Sequence, residues 1–437
     1  MSVNLKALKA TKPLVKDLPS TMGKLFVAIL CVAIFEGAFR KWLSSGLTIP
    51  LLLLRDSLAL YGIYWTAKAG KFTGQLGTQI LLLWTVFLVV WGILQLFVVE
   101  HTVLVLPIGL RFWLFYLWFG YAAGVSLTHT DFNYISLTLF KMLLFMTPLA
   151  LVQFYEPPSA FINQQFDGEE GAVFKVTVDI VRTTGTFSFT LGYAIFLSFV
   201  SPFVLNLINS DKKVFGSRWL SILLIICLLI ASLVSGSRAS VLMMAMLLLL
   251  YFMVNLFVKK SREKGKIIVM MAVMLFAVFL FTTVLSRAVD ATQERIETAA
   301  EVEDPLERIQ VIFLGEPGIY ENLELMGKGL GLGSNLAAFV VSGEVQFMLA
   351  EAEAGRLIAE AGFAGFLFIG LKLSVLIAGL RKSFVIANKW GDSLPLMIWI
   401  TLSVALLTWQ ITGQLTANVL GFLFFGLGVA SIRLTNK

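Results

Sequence analysis

Residues 219–257 read WLSILLIICLLIASLVSGSRASVLMMAMLLLLYFMVNLF, two apolar runs joined by a four-residue turn, with a single charge, Arg238, in the whole stretch. A helix needs about 20 apolar residues to cross the hydrocarbon core of a bilayer, and a helix satisfies its own backbone groups there. Each run is therefore read as a span and the pair as a transmembrane hairpin. Similar windows centre near residues 32, 58, 88, 115, 143, 197, 226, 248, 276, 368, 403 and 425. They predict an all-α, polytopic bundle of about twelve spans, a single integral membrane domain over 1–437. The second window is interrupted by Arg55 and Asp56, and the last is short and rich in Gly.

Composition points the same way. Hydrophobic residues make up 58% of the chain, charged ones 14%, and the mean hydropathy is +0.86, which excludes a water-soluble enzyme, a disordered chain and a collagen-like repeat. Cys31 and Cys227 both fall in apolar runs, so neither a disulfide framework nor a Cys-based zinc site is expected. With two His, metal chemistry would rest on carboxylates alone, and no metal or cofactor site is expected. The net charge of +7 is read as topology rather than as affinity for nucleic acid.

With a cytoplasmic N-terminus, twenty of the 34 Lys and Arg fall on the cytoplasmic side, ten on the other, and four (Arg55, Arg111, Lys141, Lys372) within spans. That asymmetry predicts that both termini are cytoplasmic. Glu36 and Arg40 stand where a signal peptide would place small residues, so the first span is read as uncleaved. Two loops on the far side are long enough to hold a site: 155–186, and the acidic loop 286–350 between the ninth and tenth spans.

Ionisable groups within a span need a partner or a purpose. Glu36 shares a helix face with Arg40 and can also reach Arg55 across the first hairpin. Arg111 either binds an anionic headgroup or pairs with an acid, and Lys141 and Lys372 are read as snorkelling. On the outer face Arg182 stands in VRTTGTFSFTLGY, Arg238 in SGSRASVL, Arg308 in DPLERIQVIF and Arg356 in EAEAGRLIAEAG. Guanidinium binds phosphate through two parallel hydrogen bonds; capping helix ends or pairing with loop acids is the structural alternative for each. The run GKGLGLGS, 327–334, marks a tight connection with close backbone approach.

Taken in chain order, RTTGTFSFTLGYAIFL, SGSRASVL and ERIQVIF…GKGLGLG…EAEAGRLIAEAGFAGFLF resemble the O-antigen polymerase and O-antigen ligase superfamily over most of 130–430. The resemblance implies about twelve spans in a bacterial inner membrane and a large periplasmic loop between the ninth and tenth. It implies a donor glycan on undecaprenyl pyrophosphate, an acceptor hydroxyl on a second lipid-linked unit, and a chain-length regulator or a flippase as partners. Arg182, Arg238, Arg308 and Arg356 would then bind pyrophosphate, and Glu351 or Glu353, with Glu344 third, would serve as general base. The ligase branch has an Arg followed four residues later by Leu, matched by Arg238 and Leu242, and a closing Gly-x-x-Gly, matched by Gly362 and Gly365. Glu351 and Ala352, however, stand where its His and a small polar residue belong, which favours a polymerase over a ligase. Polymerases carry an Arg followed by Gly in both outer loops; Arg182 to Gly192 and Arg308 to Gly318 are each ten apart, one residue off that spacing. The competing class is a twelve-span secondary transporter, which should show related halves that this sequence lacks.

Overall fold

The computed structural model describes residues 18–99, 103–164, 175–177, 180–208, 217–257, 268, 271–272, 274–276, 278–279, 305–321, 323–342, 349–350 and 352–435. Its helices are α1 (Thr21–Trp42), α2 (Thr48–Lys68), α3 (Leu76–Val98), α4 (Val105–Ser126), α5 (His129–Tyr155), α6 (Thr190–Asn206), α7 (Arg218–Val234) and α8 (Arg238–Phe257). After them come α9 (Pro305–Leu314), α10 (Pro317–Glu321), α11 (Asn335–Ser342), α12 (Glu353–Ala361), α13 (Phe363–Trp390), α14 (Leu394–Thr408) and α15 (Leu415–Thr435). A short antiparallel pair, β1 (Lys175–Thr177) and β2 (Ile180–Val181), two 3-10 turns (Ser45–Leu47 and Phe161–Asn163) and helical positions between 268 and 279 are also present.

Seven of the described helices, α1 to α5, α13 and α15, are long and apolar enough to cross a membrane, and α6, α7, α8 and α14 contain shorter apolar stretches. This is a helical membrane protein. Eleven of the twelve predicted windows fall on these helices; of the window near 276 the described positions, 268, 271–272, 274–276 and 278–279, are helical. The tenth window is shifted. Gly362, at φ 54°, separates the amphipathic α12 from α13, so the apolar helix begins at Phe363 and is centred later than the window suggests.

Different contacts tie the two ends of the bundle. At one end the backbone N–H and hydroxyl of Ser20 donate to Asp131 at 2.6 and 2.7 Å, while Thr128 closes a capping box with the same carboxylate at the start of α5. Arg433, in the last turn of α15, donates to the Gly124 and Leu127 carbonyls just before that cap. The start of α1 and the end of α15 therefore share one end of the bundle. At the opposite end the turns α7–α8 and α14–α15, the segment 180–189 and α12 converge.

The Gly-rich last window proves to be the most buried of the seven long helices. Of its span, 78% is buried, against 17% for α2 and 28% for α3, which face outward. Its glycines are what let it in: a Cβ on Gly120 of α4 would lie 2.2 Å from the Phe422 carbonyl, and one on Gly426 would lie 2.6 Å from the Gly120 carbonyl. Small residues at such a crossing let backbones approach closely, the usual basis of helix association in lipid.

The intramembrane charges of α1, α2 and α4 pair. Arg55 Nη1 meets Glu36 at 2.5 Å, and Arg55 Nε donates to the Tyr116 hydroxyl, which in turn donates to Asp56 at 2.7 Å. Arg111 grips Asp56 with Nε and Nη2 at 2.7 and 3.0 Å. Two acids and two arginines thus form a neutral set, as the cost of charge in hydrocarbon demands. Of the two readings of Arg111, pairing with an acid is the one observed.

Candidate functional site

Helix α12 places Glu353, Arg356 and Glu360 on one face through their i, i+3 and i+7 spacing, and all three are fully buried. Arg356 Nη2 contacts Glu353 Oε2 and Nη1 contacts Glu360 Oε1, each at 2.6 Å, and the same guanidinium donates to the Thr412 carbonyl and hydroxyl in the α14–α15 turn. Burial works against the charge of Arg356, but Glu360 and Glu353 outweigh it and hold its pKa above the ordinary value. Glu353 also accepts from the Thr412 hydroxyl at 3.0 Å and lies 3.7 Å from Lys372 Nζ. Lys372 is therefore tied to a carboxylate rather than snorkelling. Two acids and two bases balance here as well.

Glu360 is satisfied from the other side. Its carboxylate accepts from Trp113 Nε1 at 2.9 Å and from the Gly331 and Gly333 amides at 3.0 and 3.1 Å. The GKGLGLGS run thus wraps the end of α12, with the close approach its glycines foretold: a Cβ on Gly331 would lie 2.4 Å from the Gly109 Cα. Gln95 of α3 locks the wrap, donating to the Met326 and Glu360 carbonyls at 2.6 and 2.9 Å and accepting from the Leu330 amide at 3.0 Å.

An apolar groove of about 390 Å³ runs between α3 and α13 over a floor of α15, and Glu353, Lys372 and Thr412 close one end of it. Its walls include Trp84, Phe368, Val375, Gly379 and Phe425, and Lys382 stands towards the far end. From Phe368 to Lys382 is fourteen residues of α13, about 21 Å at roughly 1.5 Å per residue.

A second cluster lies at the same end of the bundle. The segment after β2 is buried rather than a free loop. The Thr183 hydroxyl donates to the Val234 carbonyl at 3.2 Å, Thr184 and the Gly185 carbonyl accept from Lys41 Nζ at 2.8 and 3.0 Å, and Gln153 brackets the Gly185 amide and carbonyl. The Thr186 hydroxyl reaches the Ile34 carbonyl of α1 at 2.6 Å. Val234 ends α7, and Ser235, Gly236 at φ 61° and Ser237 make the tight turn into α8, which begins at Arg238.

The structure therefore brings the segments of half-buried Arg182 and of Arg238 together, and seats Lys41, counted in the sequence only as a topology charge, between α1 and that segment. Arg308 lies on α9, which packs against α12 and α14. The side chains of Arg238 and Arg308, and all of Glu351 and Glu344, lie outside the described residues. Glu353 and Arg356 are found paired with each other, the structural alternative weighed above. Glu360, Gln95 and Lys41 were missed. For Glu360 a signal was available, since Glu353, Arg356 and Glu360 repeat at helical spacing; Gln95 and Lys41 meet partners far away in the chain.

Among the described residues no group of His, Cys, Asp and Glu is arranged to hold a metal ion. No family model matches the chain, and no curated protein matches it either.

Proposed function

We propose that the protein is a membrane glycosyltransferase that polymerises undecaprenyl-pyrophosphate-linked oligosaccharide units on the periplasmic face of a bacterial inner membrane. In this reading the chain has twelve spans with both termini cytoplasmic, and 155–186 and 286–350 are periplasmic. The observation that carries it is the apolar groove between α3 and α13, long enough for the first isoprene units of the lipid and capped by a buried acid, a lysine and a threonine. The convergence of the segments bearing Arg182 and Arg238 at that same end supports it, as does the resemblance of their motifs.

The chemistry asks for two things. The acceptor hydroxyl attacks the anomeric carbon, forming the new glycosidic C–O bond as the bond to the pyrophosphate oxygen breaks; the electron pair leaves with the lipid pyrophosphate, and the hydroxyl proton passes to a base. Arg182, Arg238 and Arg308 stabilise the departing anion, the largest electrostatic task. Arg356, held between two carboxylates, positions α12 instead of meeting phosphate. Glu351 is the base we favour, one residue before the Ala352 that precedes α12, because Glu353 is already committed to Arg356 and Lys372. Transfer of the finished glycan to a separate acceptor, as a ligase does, uses the same groove and arginines. A secondary transporter is the reading favoured by the Glu36–Arg55–Asp56–Arg111 set, since paired charges inside spans mark ion pathways.

Mass spectrometry of lipid-linked glycans from cells lacking the protein separates these. A polymerase leaves single repeat units on the lipid, a ligase leaves long chains on it, and an unchanged lipid-linked pool overturns both enzymatic readings.

A further inference from the structure

A lipid-facing groove of about 740 Å³ lies between α2 and α4, walled by Leu53, Leu60, Ile63, Leu110 and Trp118. Its polar part is Asp56, Ser57 and Arg111. Arg111 spends Nε and Nη2 on Asp56, and Nη1 is buried with no hydrogen-bond acceptor in the protein. A buried donor left without an acceptor is costly. The helix is also locally rewound here: Arg111–Phe115 is a π-helical turn, a feature concentrated at functional sites.

We propose that this groove seats one glycerophospholipid of the surrounding bilayer, an acceptor oxygen of its phosphodiester or ester group meeting Arg111 Nη1 and an acyl chain lying between α2 and α4. Three observations select that occupant. Arg111 is six residues into α4, about 9 Å from its start, a depth at which a lipid's phosphate and glycerol esters lie within reach of a guanidinium on its flexible stem. The wall is apolar along the rest of the groove, matching a hydrocarbon tail. The Glu36, Arg55, Asp56 and Arg111 set is neutral, so it suits the weakly charged acceptor of a lipid better than a multiply charged soluble anion. The site is separate from the α3–α13 groove and stands whether or not the protein is a glycosyltransferase.

The test is native mass spectrometry of the full-length protein, delipidated in mild detergent and titrated with palmitoyl-oleoyl phosphatidylethanolamine. Ser57→Trp fills the groove from the exposed face of α2 and leaves the four charged residues themselves unchanged, and Leu83→Trp, on an exposed site of α3, is its control. Asp56→Asn with Arg111→Leu removes donor and partner together, leaving neither of them as an unpaired charge. We expect Ser57→Trp and the double variant each to weaken one bound phospholipid by about ten-fold, the scale of one hydrogen bond with its contacts, while Leu83→Trp binds as the parent does. Lipid affinity within two-fold of the parent in Ser57→Trp overturns the proposal, as does an equal loss in Leu83→Trp. Should the double variant fail to insert, Ser57→Trp against its control decides alone.

Discussion

The guanidinium of Arg356 lies 2.6 Å from the Glu353 carboxylate with neither side chain exposed, and Lys372, about two and a half turns into α13, reaches the same carboxylate. Removing one member of such a set leaves a buried charge without its partner, which costs about 3–5 kcal/mol, whereas removing both leaves far less uncompensated. Arg356→Met should therefore lower the unfolding stability of the purified protein strongly, and Arg356→Met combined with Glu360→Gln should recover much of that loss, because Glu353 keeps Lys372 whereas Arg356 is the cation paired with Glu360. Thermal unfolding in detergent across the four proteins of this cycle gives the coupling; additive losses would show that Glu360 and Arg356 do not act on each other.

Gln95 makes three hydrogen bonds to the 326–334 run and the end of α12 from a fully buried position on α3. Gln95→Leu keeps the volume and takes the side-chain partner from the Met326 carbonyl and the Leu330 amide, at about 1–3 kcal/mol for each group left buried, while the Glu360 carbonyl keeps the Gly329 amide. The run should then detach locally while the spans stay folded. Limited proteolysis should cut the variant near 326–334 and spare the parent; identical digestion patterns would show that the wrap does not depend on Gln95.

These two clusters also mark how far the sequence could be read. Helices were legible because an apolar run long enough to span has few other solutions, and the Glu36–Arg55 and Arg111–Asp56 pairs were foreseeable because a charge in hydrocarbon must find its opposite. The face formed by Glu353, Arg356 and Glu360 was written in local spacing too. Gln95 and Lys41 were not legible: their partners are 231 and 143 residues away, and nothing in the neighbourhood of either residue names Met326 or Thr184. The deep burial of α15 escaped for a related reason, since Gly lowers apparent hydropathy while it is what permits close packing against α4.

Ser20 and Arg433 are both tied to the turn between α4 and α5, which puts both ends of the chain at one end of the bundle and, in the reading proposed here, requires an even number of crossings between them. With the bias of Lys and Arg, that end is predicted to be cytoplasmic. A reporter fused after Lys266 should be active only in its cytoplasmic form, and one fused near Gly315 only in its exported form. Reversed signals would turn the α12 cluster and the SGSR turn towards the cytoplasm and remove the periplasmic reaction altogether.

Arg238 is where the leaving-group role can be separated from a structural one. It opens α8 directly after the Ser235–Ser237 turn, beside the buried segment that follows Arg182. If it grips pyrophosphate with two parallel N–H groups, Arg238→Lys keeps the charge and loses the fork. One charge-assisted hydrogen bond is worth about 1.5–3 kcal/mol, so turnover of a lipid-linked donor should fall roughly ten- to a hundred-fold, with protein level and thermal unfolding unchanged. Arg238→Ala should fall further, and Arg182→Lys should behave like Arg238→Lys because the two segments adjoin. An arginine that merely paired with loop acids would tolerate Lys almost completely, since an exposed ion pair contributes at most about 1 kcal/mol. Polymer of near-normal length from the Arg238→Lys protein at matched expression would therefore sink the pyrophosphate role, and a matching loss of thermal stability would move Arg238 to the structural side.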